Sequence, residues 1–145
     1  MKIKNVLKDK VRNAIFSVKS NDTVLEALQQ MAEKNIGAVL VIDEGQLVGI
    51  FSERDYARKV ILLGRSSNQT LIKDVMTSKL ITVSSEQKLE EAMIIMSEKH
   101  IRHLPIVDEG ELIGIISIND VVTSIIKDQK ARIESLESYI SGSPY

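Results

Sequence analysis

Apolar positions along this chain alternate between a helical spacing and short continuous runs. Val24, Ala27, Leu28 and Met31 recur at i, i+3, i+4 and i+7, which predicts an amphipathic helix after segment 20–23, whose side chains offer several N-cap oxygens. The first half predicts, in order, a helix over 3–10, a strand over 15–18, this helix, strands over 38–42 and 47–51, and a helix over 53–63. The two longer strands are joined by Asp-Glu-Gly, a tight turn in which glycine supplies a positive φ.

The second half of the chain predicts the same order of elements. These are a short helix over 71–76, a strand over 81–83, a helix that begins near residue 85, strands over 103–107 and 112–117, and a helix from Ile118 towards Ser138. The spacing places Leu89, Ala92, Met93 and Met96 on the inward side of the middle helix. Residues 141–145 are expected to fray.

The two halves are copies of one unit. Residues 16–55 and 81–120 align at a constant offset of 65 without a gap, and sixteen of the forty positions are identical. Each copy is β-α-β-β-α, and a single copy has too little apolar surface to bury itself well. We therefore expect an α/β (α+β) fold in which two β-α-β-β-α repeats pack through their sheets with pseudo-two-fold symmetry.

The predicted domain organisation follows from the repeat. We expect residues 1–67 to form the first repeat with its N-terminal helix, and residues 68–128 to form the second. Residues 129–145 would be a C-terminal helical tail, frayed at its end. The polar segment 65–70 is the best candidate for a linker between the repeats.

Composition narrows the class of protein. The chain has 145 residues, of which 43% are hydrophobic and only 3% aromatic, which indicates a globular protein with an aliphatic core. A net charge of −1 gives no general attraction to nucleic acid or to an anionic membrane. Cysteine is absent, which excludes disulfides within the chain. Apolar runs are too short for a membrane span and no signal peptide is recognisable, so a cytoplasmic protein is expected.

Both repeats contain the motif Gly-x-x-Ser-x-x-Asp, and two interpretations of it are open. Ser52 and Asp55 project from the first turn of a helix, where they can cap it. They can equally bind a nucleotide, because a helix N-terminus attracts phosphate and a carboxylate accepts hydrogen bonds from both vicinal ribose hydroxyls. Gly49 would leave room for a ligand against the strand. The presence of two copies in one fold favours binding.

The units with Gly49-Ile-Phe-Ser-Glu-Arg-Asp55 and Gly114-Ile-Ile-Ser-Ile-Asn-Asp120 resemble a tandem pair of CBS domains, the Bateman module, over roughly residues 5–128. Segments 52–56, 64–67 and 101–105 are also similar to stand-alone CBS-pair proteins. The resemblance implies a non-enzymatic regulatory or sensor module that binds an adenine nucleotide (AMP, ADP, ATP, NAD or S-adenosylmethionine) and modulates a partner protein. It implies no catalytic cofactor. Independently of the resemblance, no metal is expected, because the chain has two His and no Cys to form a zinc site.

The resemblance also implies two clefts, each with a ribose-binding Asp from one repeat and an adenine wall from the other. Carried over by position, the first cleft would contain Ser52, Arg54, Asp55, Met76, Lys79, Ile81, Ile101, Arg102 and His103. The second would contain Val11, Ala14, Phe16, Ile36, Gly37, Ala38, Ser117, Asn119 and Asp120. Because arginine neutralises phosphate best, we expect the first cleft to bind the more highly charged ligand.

Two alternatives to nucleotide sensing remain. One is a protein-interaction module that dimerises without nucleotide-dependent switching. The other, more remote, is a nucleotide-hydrolysing enzyme, which the absence of a P-loop, a Rossmann motif or a paired nucleophile and base disfavours. Apolar clusters at 60–63, 121–122 and 125–126 exceed what one module needs, and we expect them to pack helix to helix in a homodimer, as the resemblance implies.

Overall fold

The computed structural model of this chain describes residues 1–9 and 15–140, with only the backbone of Asp9. Its elements in chain order are α1 (Ile3–Asp9), β1 (Ser17–Val18), α2 (Val24–Lys34), β2 (Ala38–Asp43), β3 (Gln46–Ser52), α3 (Glu53–Tyr56, continued by a π turn over Ala57–Ile61), α4 (Ile72–Val75), α5 (Leu89–Lys99), β4 (His103–Asp108), β5 (Glu111–Ser117) and α6 (Ile118–Ile140). The predicted fraying of 141–145 lies outside the described residues. None of the described helices combines the length and apolar character needed to cross a membrane.

Internal contacts divide the chain into two compact units. The first unit is Ala14–Ile81, and the second unit combines Met1–Asn13 with Thr82–Tyr145. This packing differs from the predicted boundaries, which assigned the N-terminal helix to the first repeat. The helix that precedes each repeat in the chain packs instead with the other repeat, since α1 belongs to the second unit and α4 to the first.

The two short helices dock on their units through equivalent backbone hydrogen bonds. The amide of Ile72 donates to the carbonyl of Asp22 at 2.8 Å, and the amide of Ile3 donates to that of Gln87 at 2.9 Å. Asp22 and Gln87 obey the repeat offset of 65, whereas Ile3 and Ile72 are 69 residues apart (72 − 3). The short helices therefore follow a different offset from the repeats they pack on.

The segment predicted as a linker is part of the first unit. The carbonyls of Ser67 and Thr70 accept the amides of Leu25 and Val24 at 2.9 and 2.8 Å, so the segment satisfies donors in the first turn of α2. Thr70 is only 8% exposed. The polar residues of this segment therefore serve as hydrogen-bond partners inside the first unit, which ends at Ile81. The predicted domain boundaries and linker stay predictions.

Each unit is built around an antiparallel hairpin. In the first, β1 pairs parallel with β2, and β2 pairs antiparallel with β3. Glu44 and Gly45 both have positive φ, 48° and 77°, as the tight hairpin turn requires. In the second, β4 pairs with β5 through the equivalent turn, and the predicted strand over 81–83 is reduced to one parallel bridge between Val83 and Ile106.

The aspartate that begins each hairpin turn accepts hydrogen bonds from the loop that precedes α2 or α5 in the same unit. The amide of Ser20 donates to Asp43 Oδ1 at 3.0 Å, and the amide of Ser85 donates to Asp108 Oδ1 at 2.9 Å. The hydrogen bonds from Ser20 lower the pKa of Asp43. The Asp of the Asp-Glu-Gly turn is thus structural in both repeats.

The core is aliphatic, as composition predicts, with Phe51 as its one fully buried aromatic residue among those described. Leu89, Ala92 and Met96 are buried, but Met93, predicted to face inward, is 36% exposed. Two residues of the predicted apolar surface clusters, Val60 and Val121, are fully buried. The exposed apolar residues of these clusters are Ile61, Val122 and Ile126 on the helices, and Leu62 and Leu63 in the turn after Ile61.

Candidate functional site

The first Gly-x-x-Ser-x-x-Asp motif forms a capping box at the junction of β3 and α3. Ser52 has extended backbone angles and its Oγ accepts the amide of Asp55 at 3.2 Å. In return the amide of Ser52 donates to Asp55 Oδ2 at 3.0 Å. Each side chain therefore satisfies a backbone donor at the start of the helix.

The second motif repeats this geometry at the start of α6. The amide of Ser117 donates to Asp120 Oδ2 at 2.9 Å, and the amide of Asp120 donates to Ser117 Oγ at 3.1 Å. The capping interpretation is confirmed for both copies. It leaves the ligand-binding interpretation open, because at Asp55 the second carboxylate oxygen takes no part in the cap.

The second carboxylate oxygen of Asp55 has two donors of its own. Thr77 Oγ1 lies 3.0 Å from Oδ1, and Lys59 Nζ lies 3.0 Å from the same atom. Asp55 is only 8% exposed, whereas the side chain of Lys59 is 41% exposed. The more buried donors hold the carboxylate in place, while Lys59 approaches it from the solvent side. Hydroxyl groups of a ligand can replace donors at Oδ1 without disturbing the cap at Oδ2.

Sequence reasoning missed Thr77 and Lys59. Lys59 follows Asp55 by four residues on a predicted helix, a spacing that signals an ion pair and was available from the sequence. Thr77 lies 22 residues beyond Asp55 in a short extended segment that bridges to Ile50. No local pattern predicts that pairing.

The motif glycines have a packing role. A Cβ on Gly49 would lie 2.6 Å from Met76 Sδ and 3.1 Å from the carbonyl oxygen of Thr77. A Cβ on Gly114 would lie 3.0 Å from Leu7 Cδ2. The prediction that Gly49 leaves room for a ligand was wrong, since protein atoms of the same unit fill that space.

Leu7 is the counterpart of Met76, and the constant offset of 65 does not identify it. Both residues follow the offset of 69 that the short helices share, and both rest on the motif glycine of their unit. Carry-over at 65 assigned this place to Val11. Val11 and Ala14 lie outside the described residues, so their assignment stays a prediction.

Strand register brings the first residues of β2 and β4 to the motif serines. Ala38 pairs with Ser52, and His103 pairs with Ser117. The carbonyls just before these strands also bond to the helix starts: Gly37 accepts the amide of Glu53 at 3.1 Å and Arg102 accepts that of Ile118 at 2.8 Å. Within each unit, the strand start therefore lies beside that unit's own motif.

The predicted cleft groupings draw on both units, and they stay predictions. Arg54, Lys79, Arg102 and Asn119 are exposed, and the partly buried members are Phe16, Ile36, Gly37, Ser52, Met76, Ile81, Ile101, His103, Ser117 and Asp120. Phe16 has a partner that the sequence did not indicate, because Lys34 Nζ lies 5.5 Å from its ring centroid.

The sequence profile of one family matches this chain twice. The CBS domain profile covers residues 4–61 and 72–127. The mitochondrial CBS domain-containing protein CBSX3 of Arabidopsis thaliana is 40% identical over 148 residues, which are 97% of this chain and 72% of CBSX3. YhcV of Bacillus subtilis, also a CBS domain-containing protein, is 33% identical over 125 residues, covering 86% of this chain and 89% of YhcV.

Solved structures agree with the sequence matches. A CBS-domain protein from Burkholderia ambifaria is 46% identical with a TM-score of 0.86, covering 89% of this chain and 96% of that one. The CBS domain pair of protein MJ0100, solved with 5′-methylthioadenosine and S-adenosyl-L-methionine, is 25% identical with a TM-score of 0.75. That match covers 88% of this chain and 98% of the MJ0100 pair. The mixed α/β fold of two repeats predicted from the sequence is confirmed.

Proposed function

Because the chain belongs to the CBS-domain family and carries the domain twice, we propose that it is a regulatory module that binds an adenosine-containing ligand and modulates a partner protein. The observation that carries the proposal is the pair of motif carboxylates, Asp55 and Asp120, each fixed at a helix start through one oxygen. The MJ0100 pair supports it, since that relative binds 5′-methylthioadenosine and S-adenosyl-L-methionine.

In this proposal the carboxylate binds the ribose. The two vicinal hydroxyls of a ribose are donors that suit one fixed carboxylate, and a charged acceptor strengthens both hydrogen bonds. At Asp55 they replace donors on Oδ1, where Lys59 is the more exposed and the more easily displaced. The displaced ammonium stays nearby and favours ligands with phosphate groups. AMP, ADP, ATP and NAD share the adenosine half and are the ligands we propose for this chain.

The proposed activity is binding without turnover. At both junctions the serine hydroxyl accepts the amide of the motif Asp, so its position is set by the cap. A serine nucleophile needs a neighbouring base to take its proton, and the acidic neighbour here is a carboxylate already bonded to backbone amides. We therefore propose a non-enzymatic sensor.

A thermal-shift screen tests the proposal. Protein freed of co-purified ligand by denaturation and refolding is mixed with AMP, ADP, ATP, NAD, 5′-methylthioadenosine or S-adenosylmethionine. A ligand at a hundred times its Kd stabilises the native state by about 2.7 kcal/mol, which is a readily measured rise in Tm. Guanosine nucleotides are the control, since their base differs. The absence of a shift with every adenosine compound would reject the proposal.

A second candidate, a protein-interaction module that forms a homodimer, is favoured by the exposed apolar residues. Ile61, Leu62 and Leu63 are 56%, 76% and 63% exposed. Consecutive large apolar residues on a surface mark an interaction site more often than a free face. Under this alternative, partner capture is the same with and without an adenosine ligand. Ligand-dependent capture favours the sensor.

A further inference from the structure

The last half of α6 is exposed along its whole length. Every residue from Gln129 to Ile140 is exposed, including Ile133 at 55%, Leu136 at 59% and Ile140 at 79%. A helix of about twelve residues is marginal in water when nothing packs on it. Large apolar side chains exposed along one side of a helix indicate a surface that packs against a partner.

The apolar residues of α6 lie on one line. Positions alternate by four and three residues along a seam that we call the C-terminal seam, made of Val122, Ile126, Gln129, Ile133, Leu136 and Ile140. Alternation of four and three is the 3.5-residue period of a two-stranded coiled coil. In heptad notation Ile126, Ile133 and Ile140 are a positions, and Val122, Gln129 and Leu136 are d positions. In parallel coiled coils, isoleucine at a with leucine at d favours two strands, and here all three a positions are isoleucine while Leu136 is at d.

We propose that the C-terminal seam pairs with the same seam of a second copy of this chain, in parallel and in register. The proposal rests on the homodimer proposed above, goes beyond it by fixing the orientation and contact surface, and does not depend on ligand binding. Charges beside the seam select the orientation. Arg132 is a g position and Glu137 is the e position five residues later, which are the positions that face each other across a parallel pair.

The antiparallel alternative brings like charges together. An antiparallel second copy can also align the whole seam. Ile133 then faces Gln129, Ile126 faces Leu136 and Val122 faces Ile140, so that every core residue faces another core residue. That arrangement sets Arg132 against Arg132 and Lys130 against Lys130 of the second copy. The parallel arrangement sets Arg132 against Glu137 twice. Arg132 also contacts Asp128 at 3.3 Å, but its side chain is 74% exposed, so that pair is weak and leaves the guanidinium available.

Gln129 is the polar residue of the seam and it fits the parallel register. In register, the two Gln129 side chains face each other and can hydrogen-bond, as a polar residue at one core position does when it fixes the register of a dimer. In the antiparallel register each Gln129 faces Ile133, which leaves its amide without a partner. The seam therefore favours one alignment over its alternatives.

Single cysteines test the alignment directly, because the chain contains no cysteine of its own. Full-length Gln129→Cys is oxidised with diamide, which takes up the two thiol hydrogens as the disulfide forms, and is run on a non-reducing gel. The parallel register predicts a covalent dimer, since facing Cβ atoms come within the roughly 4 Å that a disulfide needs. Glu134→Cys, on the solvent side, is the matched control and should stay largely monomeric on the gel.

Two outcomes of the cysteine experiment would overturn the proposal. One is equal cross-linking of Gln129→Cys and Glu134→Cys, which would indicate random collision. The other is cross-linking of Gln129→Cys only when it is mixed with Ile133→Cys, which would indicate the antiparallel register.

A charge exchange tests the same alignment without oxidation. In sedimentation equilibrium, Arg132→Glu and Glu137→Arg should each raise the dimer Kd about fivefold, and the double variant should restore it. Glu134→Arg is the control of equal charge change off the seam. Unchanged Kd values in all variants would contradict the proposal. A double variant that does not restore the parent Kd would also contradict it, because Arg132 and Glu137 do not face each other in the antiparallel register. The homodimer and the coiled coil can also be separated. If Leu62→Lys makes the protein monomeric while the seam variants leave the dimer Kd unchanged, the homodimer stands and the coiled coil is rejected.

Discussion

Lys59 and Asp55 form an ion pair across one turn of the first motif helix, with Nζ 3.0 Å from Oδ1. The pair occupies the oxygen that the proposed ribose site uses, while the other oxygen caps the helix. A ligand at this junction must therefore displace or share the lysine. Under the proposed function, Lys59 is therefore a determinant of ligand affinity that the motif itself does not contain.

Lys59→Met is expected to tighten the binding of 5′-methylthioadenosine by up to about fivefold, because a partly exposed ion pair contributes only about 0.2–1 kcal/mol and its removal frees the carboxylate oxygen. Isothermal titration calorimetry measures the change. Arg58→Met, an exposed neighbour on the same helix, is the control and should bind as the parent does. Weaker binding by Lys59→Met would show that the lysine assists the ribose rather than competing with it.

Alanine at the two motif glycines should have unequal costs. Gly49→Ala places a Cβ 2.6 Å from Met76 Sδ and 3.1 Å from a backbone oxygen, whereas Gly114→Ala meets only the end of the Leu7 side chain at 3.0 Å. We expect Gly49→Ala to lower the free energy of unfolding by about 1–3 kcal/mol, as overpacking does, and Gly114→Ala to cost clearly less. Urea denaturation compares them.

The matched control for this pair is Met76→Ala in the Gly49→Ala background. Removing the side chain that the new Cβ meets should recover part of the loss, although the Thr77 carbonyl remains in place. An equal cost of the two glycine substitutions would contradict the packing role assigned to Met76.

Thr77→Val should lower the free energy of unfolding by about 1–2 kcal/mol, because it removes a hydrogen bond to the nearly buried carboxylate of Asp55 while keeping the shape of the side chain. Chemical denaturation measures the loss. Thr82→Val, at an exposed position, serves as the control and should cost little. If both substitutions cost the same, Thr77 is not a support of the carboxylate.

The stability of the fold should fall in acid partly through Asp43. The hydrogen bonds from Ser20, and secondarily Lys19, lower the pKa of Asp43 from its ordinary value of 3.8, so the folded state holds this proton less tightly than the unfolded state does. The stabilisation is present above pH 3.8 and is lost as the pH falls through the lower, folded value. Asp43→Asn should therefore show a shallower loss of stability below about pH 4 in urea titrations. An unchanged slope would contradict this.

The sequence predicted the fold because repeat, period and turn chemistry all agree. The hairpin with its Asp-Glu-Gly turn, the helix that begins after Thr23 and the capping pair at Ser52 and Asp55 depend on neighbours within a few residues. Interactions between such near neighbours can be predicted from local sequence patterns. The helix over 53–63 was less accurate, since a π turn replaces the α-helical pattern from Ala57.

Contacts between distant segments were not predictable in this way. Thr77 reaches Asp55 and Leu7 reaches Gly114 only because the short helices pack on the repeat that does not follow them. A single offset of 65 cannot describe two elements that recur at 65 and at 69. The burial of Val60 beside the exposed Ile61 was also not predictable, since the rotation of the helix about its axis decides which of two adjacent apolar residues faces the core.

The most direct test of the proposed function is calorimetric titration of stripped protein with AMP, ATP and 5′-methylthioadenosine, carried out on the parent, Asp55→Ala, Asp120→Ala and the double variant. The proposed function predicts that at least one ligand binds the parent, that each single variant weakens a binding step about tenfold or more, and that the double variant does not bind. Asp55→Ala should weaken ATP binding more than Asp120→Ala. Ser52→Ala controls for loss of the cap. A double variant that binds as tightly as the parent, or a parent that binds none of the three, would contradict it.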